Sequence, residues 1–258
     1  MRCRMRIFIS QANKRRLGKL AAVVMWIAVW QALSLIINEE VLLPSPVLVA
    51  ERLLVLVRTA AFWRNIAASL LRVLIGLLTG TFLGTLFAVV SKRFLWIRGF
   101  LAPLLRLSRT VPVVSFIILA IVWFPRNVLP VFVSAVMVLP VIWQNMEEGI
   151  SKIDVRYYEA AQVYCVPFAR RFWMLYIPSV KPFFISALIT ASGFAWKAGI
   201  AAEVLYEPAV SIGRGLSEAK NYLNTGDLFA WTVVIVLVGW LMEKLICFLL
   251  QVKMSPKE

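Results

Sequence analysis

Lys197 is the side chain best placed to act on something other than its own neighbours. It lies in an apolar stretch between Trp196 and Ala198, with Ser186, Thr190, Ser192 and Gly193 before it and Glu203 after it. An ammonium in such surroundings needs a counter-charge or a water-filled cavity, and an intramembrane ionisable residue is a functional-site candidate by default. One reading has Lys197, with Ser192 and Glu203, lining a path that attracts an anion. The other is structural, a salt bridge to a carboxylate. Glu203 is too far round the helix for a direct intrahelical pair, so both readings stand. Arg72, at the edge of another apolar stretch, is expected to snorkel toward water.

Several chemistries are excluded at once. Histidine is absent, which removes imidazole-based zinc sites, imidazole acid–base catalysis and Ser-His triads. Cys3, Cys165 and Cys247 are far apart and show neither a disulfide framework nor the paired spacing of a metal site. No Gly-x-x-x-x-Gly-Lys-Ser/Thr phosphate loop occurs, and Gly213-Arg-Gly215 reads as a turn. No residue is assigned to catalysis, and no cofactor to this chain. The formal charge of +15 reads as orientation signal and lipid-headgroup contact, with no nucleic-acid partner, because it accompanies long apolar runs.

Those runs must position the candidates. The chain has 258 residues, 61% of them hydrophobic and 16% charged, and a mean hydropathy of +0.83. That is too much apolar surface for a soluble domain of this length. Leu20 to Ile37 is uncharged and would reach about 27 Å as a helix at ~1.5 Å per residue. No small-x-small cleavage site follows it, so it reads as a first span rather than a signal peptide. Further spans read as Ile66–Val90, Leu105–Phe124, Val128–Asn145, Pro182–Leu205 and Leu228–Leu250. The fold class is therefore all-α, a polytopic membrane protein of six transmembrane helices. Residues 1–19 form a basic arm, 20–250 the transmembrane domain with a polar loop at 147–181, and 251–258 a tail.

Lys and Arg set the orientation. They crowd the N-terminal arm, the loop with Lys92, Arg93 and Arg98, the polar loop with Lys152, Arg156, Arg170, Arg171 and Lys181, and the tail. The opposite side carries fewer. Both termini and the polar loop are therefore expected in the cytoplasm. Outside, Ser45-Pro46 predicts an N-cap and first helical residue for a connector over Val47–Val57.

Two further patterns carry structure. Gly76, Gly80 and Gly84 make consecutive Gly-x-x-x-Gly steps on one helix face and predict helix packing to backbone contact. In the polar loop, Asp154 is placed to cap a short helix to about Val163. A second short helix, Phe168 to Ile177, is expected to end at Pro178.

The polar loop also resembles the EAA loop of ATP-binding-cassette importer permeases, in which Glu-Ala-Ala is followed by Gly and then Ile-x-Leu-Pro. Glu159, Ala160, Ala161 and Pro178 match, Leu175 and Ile177 are near-equivalents, and Cys165 stands where the pattern has Gly. Cysteine would be strained in a left-handed turn that glycine adopts freely, so a locally different turn is expected. The likeness continues through Leu43-Pro44-Ser45-Pro46, Ser69 to Gly76, Thr110-Val-Pro112, Ile121 to Phe124 and Trp196 to Glu203, with Pro125 where Gly is frequent. Together these look like the nitrate/sulfonate/taurine branch. The resemblance implies an inner-membrane permease, paired with a second copy, two ATPase subunits that bind ATP and Mg, and an extracytoplasmic solute-binding protein. Glu159, Ala160, Ala161, Cys165, Leu175, Ile177 and Pro178 would receive the ATPase stroke. An ion-coupled secondary transporter and a membrane scaffold are the alternatives; no internal repeat supports the former.

Overall fold

The computed structural model describes residues 2–94, 96–100, 103 and 111–252. Helix α1 covers Arg2–Ile37, α2 Pro46–Val57, α3 Ala60–Arg93, α4 Val113–Ile121 and α5 Leu129–Ser151. Then follow α6 over Val155–Val163, α7 over Phe168–Arg171, α8 over Ile177–Tyr206, α9 over Ile212–Asn221 and α10 over Thr225–Val252. No strand occurs among the described residues. The protein is an all-α polytopic membrane protein.

Four helical segments are long and apolar enough to cross a bilayer: Ala60–Arg93, Leu129–Ser151, Phe168–Tyr206 and Thr225–Leu250. The apolar part of α1, Ala21–Ile37, is shorter, and it is continuous with the basic arm in one 36-residue helix. The expected third span is represented by the nine-residue α4; its start, from Leu105 to Thr110, lies outside the described residues, as does most of the tail.

Local chemistry explains the helix ends. Ser45 caps α2 by accepting a hydrogen bond from the Leu48 amide at 3.2 Å, with Pro46 at the first turn. Thr59 caps α3 through the Phe62 amide in the same way. Asp154 accepts from the Arg156 amide at 2.9 Å and opens α6.

The centre of the molecule is α5, packed between α3 and α8. A methyl group on Gly76, Gly80 or Gly84 would come within 2.6, 2.6 and 2.8 Å of the carbonyl oxygens of Val131, Ala135 and Leu139. Each of these contacts is with α5 backbone, so α3 and α5 approach as closely as main chains allow. Gly199 of α8 sits equally tightly on Ser134 and Val73, and Ser134 donates to the Ala195 carbonyl at 3.0 Å. The resulting core runs through Val73, Leu77, Val138, Ile142, Ala191, Ala195 and Ile200. At its outer end α4 adds Ile117 and Ala120 against Leu129, Val133 and Ala202, and Phe124 stacks on Phe132 at 4.1 Å. Helix α1 stands at the periphery. Trp30 and Ser34 donate to the carbonyls of Pro44 and Leu43, while most of its side chains from Ala21 onward are exposed.

Candidate functional site

Glu203 is the focus of a buried polar network at the end of the helices away from α6. Its side chain is fully enclosed, and the Arg72 guanidinium meets it at 2.9 Å. Ser69 donates to its other oxygen at 2.6 Å, and the Gly213 amide donates to that oxygen at 3.3 Å. The Ser69 hydroxyl in turn accepts from the Ile212 amide at 2.9 Å. Arg72 also donates to the Val210 carbonyl at 2.9 Å and reaches Asn127 at 3.4 Å. A carboxylate placed at the first turn of α9 is favoured by the free amides and dipole of that helix end. A side chain on Gly213 would collide with the Glu203 backbone and Cβ, so the α9 turn is seated directly on the carboxylate.

This network corrects one expectation. Arg72 does not snorkel: it is paired with Glu203 and only 14% exposed. Glu203, placed by the sequence on a candidate path, is fully buried in this chain and belongs to an interhelical tie. The physical reason is common depth. One charge of each sign lies near the outer ends of neighbouring spans, and charges at that level are stabilised most by each other. Ser192 is buried, and its hydroxyl donates to the Ile189 carbonyl of its own helix at 2.7 Å.

Lys197 takes the opposite position. Trp196 is inserted toward α10, donating to the Ile235 carbonyl at 3.0 Å over Gly239, whose missing side chain makes room for the indole. Trp196 thus fixes the rotation of α8, and the next residue turns out of the core. Lys197 is exposed and has no hydrogen bond or ion pair among the described residues. It is therefore not the salt-bridge partner of Glu203.

At the other end of α8 the expected two-helix loop takes a different form. Helix α5 runs on through Glu147 and Glu148 to Ser151, with Glu147 meeting Arg98 at 2.7 Å. Helix α6 carries Glu159 and Ala160 exposed and Ala161 half-buried. It closes with Cys165 at φ 52°, the Cys165 amide donating to Gln162 and the Val166 amide to Ala161, both at 2.9 Å. That bond pair is a Schellman close, whose left-handed residue is usually glycine. The left-handed turn is thus kept with cysteine in it, against the expectation of a different turn. Nor does the second helix end at Pro178. A π-turn over Phe172–Tyr176, closed by the Ile177 amide on the Phe172 carbonyl, joins α7 to α8 in one rod. The wider turn lies next to a proline that has no amide to donate. Leu175 is half-buried within the π-turn, with Ile177 and Pro178 exposed just beyond.

Residues 76–252 match the family model described as binding-protein-dependent transport system inner membrane component. The chain belongs to that family. Among its relatives, the taurine transport system permease protein of Escherichia coli strain K12 is 26% identical over 247 residues, covering 91% of this chain and 86% of that protein. The nitrate import permease protein of Leptolyngbya laminosa is 28% identical over 192 residues, covering 73% and 67%. The bicarbonate transport system permease protein of Synechococcus elongatus is 26% identical, covering 73% and 68%. As a member, the protein is a membrane transport component of the nitrate/sulfonate/taurine type. The family region includes the α3 glycines, the α6 turn, Lys197 and Glu203; Ser69 and Arg72 fall just before it.

Sequence reasoning missed Ser69, Arg72 and Gly213 as partners of Glu203. The available signal was a pair of opposite charges at matching depth in two apolar spans, with a serine one turn from the arginine.

Proposed function

We propose that this chain is the permease subunit of an ATP-driven importer for a small anion, with ATP and Mg bound by a separate ATPase. The observation that carries this reading is the α6 segment on the basic side of the protein. Its side chains have nothing among the described residues to cover them: Val163 is 79% exposed and Tyr164 81%. Phe168, Trp173 and Met174 continue the surface into the π-turn. In the proposed complex two ATPase subunits dock here and contact Glu159, Ala160, Ala161, Cys165, Leu175, Ile177 and Pro178. Because the π-turn makes the loop continuous with α8, a displacement of α6 reaches the span that carries Lys197. Two copies of the chain enclose the path, a solute-binding protein delivers from outside, and α1 and the α4 region complete six crossings with both termini in the cytoplasm. Alternating access follows by rocking of packed helices.

The test is reconstitution of the chain with an ATPase and a binding protein in liposomes, measuring uptake of labelled taurine, nitrate and bicarbonate. Uptake of one of them that requires ATP is expected. Uptake driven by an ion gradient without ATP would overturn the proposal in favour of a secondary transporter. Absence of both ATPase binding and uptake would leave a scaffold.

A further inference from the structure

The exposed face of α8 is more polar along its middle than that of α3. On α3 the outward row is Leu71, Ile75, Leu78, Phe82, Leu86 and Val89, side chains suited to lipid. On α8 the outward row contains Ser186, Thr190, Phe194 and Lys197, with Gly193 beside Phe194. A Cβ at Gly193 would meet nothing within 4 Å. Its lack of a side chain therefore serves no packing among the described residues and leaves clearance one turn from the lysine, beside the half-exposed Phe194.

The position of Lys197 along α8, a segment apolar enough to cross a bilayer, makes lipid a poor surrounding for its charge. It lies about 14 Å along α8 from the outer end at Tyr206 and about 30 Å from Ile177, at ~1.5 Å rise per residue. Helical side chains lean toward the N-terminus. The side chain therefore leans toward the Ile177 end of α8, away from the nearer helix end. An unpaired cation in that position faces a wet cavity.

We propose that Lys197 and the Gly193 clearance, with Thr190 one further turn in, form a mid-membrane binding site for a small oxyanion or sulfonate. The lysine supplies charge and up to three donors. The Thr190 hydroxyl, which now donates to the Ser186 carbonyl at 3.1 Å, turns to donate to the anion. The missing Gly193 side chain admits the anion's oxygens. One charge per chain keeps the attraction weak enough for release. The site deepens the importer reading and rests on it, because a second copy of the chain must screen the groove from lipid.

The test uses the full complex with its ATPase in lipid nanodiscs, both faces open to solution, with Cys3→Ser, Cys165→Gly and Cys247→Ser. Gly193→Cys is introduced and labelled with two methanethiosulfonates, one bearing a sulfonate and one a quaternary ammonium. In each, the introduced thiolate attacks the sulfenyl sulfur and methanesulfinate leaves. With rates normalised to a small thiol in solution, the sulfonate reagent should react about tenfold faster, the scale of one unit charge acting across a helical turn at intermediate dielectric. Adding Lys197→Met should abolish the preference and Lys197→Arg should retain it. Thr190→Cys provides the same readout if Gly193→Cys does not assemble. No labelling, or labelling indifferent to Lys197→Met, overturns the anion site. If that complex still shows ATP hydrolysis stimulated by its binding protein, the importer assignment survives. A chain that binds no ATPase removes the importer assignment and this inference with it.

Discussion

The tie at Glu203 and the α6 segment are both polar interruptions in a hydrophobic chain, and they solve the problem of polarity in opposite ways. At the outer end each group finds its partner inside the chain. Glu203 accepts from Ser69, Arg72 and Gly213, and Arg72 reaches on to Val210. At the inner end α6 is tied down by its own caps, while Glu159, Tyr157, Val163 and Tyr164 are left exposed. A buried charge without a partner is costly enough to be settled within the fold. An exposed one costs little and is free to await another protein. The comparison separates what holds this protein together from what it presents to partners.

Stability measurements can break that separation. The largest loss is expected for Arg72→Met, which strands a fully buried carboxylate, at about 3–5 kcal/mol. Thermal unfolding of the purified protein would read this, and adding Glu203→Gln should recover part of it. An unchanged melting temperature for Arg72→Met would show that the outer tie is not structural.

Gly80→Ala comes next. Its methyl would sit 2.6 Å from the Ala135 carbonyl oxygen and 2.7 Å from the Val138 Cβ, neither of which can rotate away. Separating α3 from α5 should cost about 1–3 kcal/mol, seen as lower yield and melting temperature. Wild-type behaviour would mean that the two helices move apart freely.

Cys165→Gly should act in the other direction. Removing the side chain from a left-handed residue relieves strain of about 1 kcal/mol, so the melting temperature should rise slightly. A fall would show that the thiol contributes packing that outweighs the backbone strain.

Glu159→Lys sharpens the contrast from the smallest end. As an exposed substitution it should change stability by less than about 0.5 kcal/mol. In the reconstituted complex, however, it should lower binding-protein-stimulated ATP hydrolysis at least about tenfold, since like charges across an interface cost several kcal/mol. Normal hydrolysis would remove Glu159 from the docking surface.

Much of the architecture was legible before any coordinates. Apolar runs of bilayer length place α3, α5, α8 and α10, because a spanning segment must satisfy its backbone internally and helix is the available solution. Ser45 and Asp154 mark helix starts because their side chains are short acceptors beside free amides. Gly76, Gly80 and Gly84 announce a close approach, although the sequence does not say which helix arrives. The α6 turn could be located but misled in detail, since the preference of cysteine against positive φ is smaller than the two hydrogen bonds that close the turn.

Local rules, then, determine which segments are helices, where they start, and which surfaces tolerate lipid, because each depends on residues within a turn or two. The roles of Arg72, Lys197 and Glu203 depended on tertiary structure. Arg72 and Glu203 are 131 positions apart in the chain and 2.9 Å apart in space, a meeting produced by the rotation of α8 against α3. That same rotation, set by Trp196 docking on α10, encloses Ser192 and turns Lys197 outward. A helix repeat places residues on a face, but only the neighbouring helices decide whether that face meets protein, lipid or water.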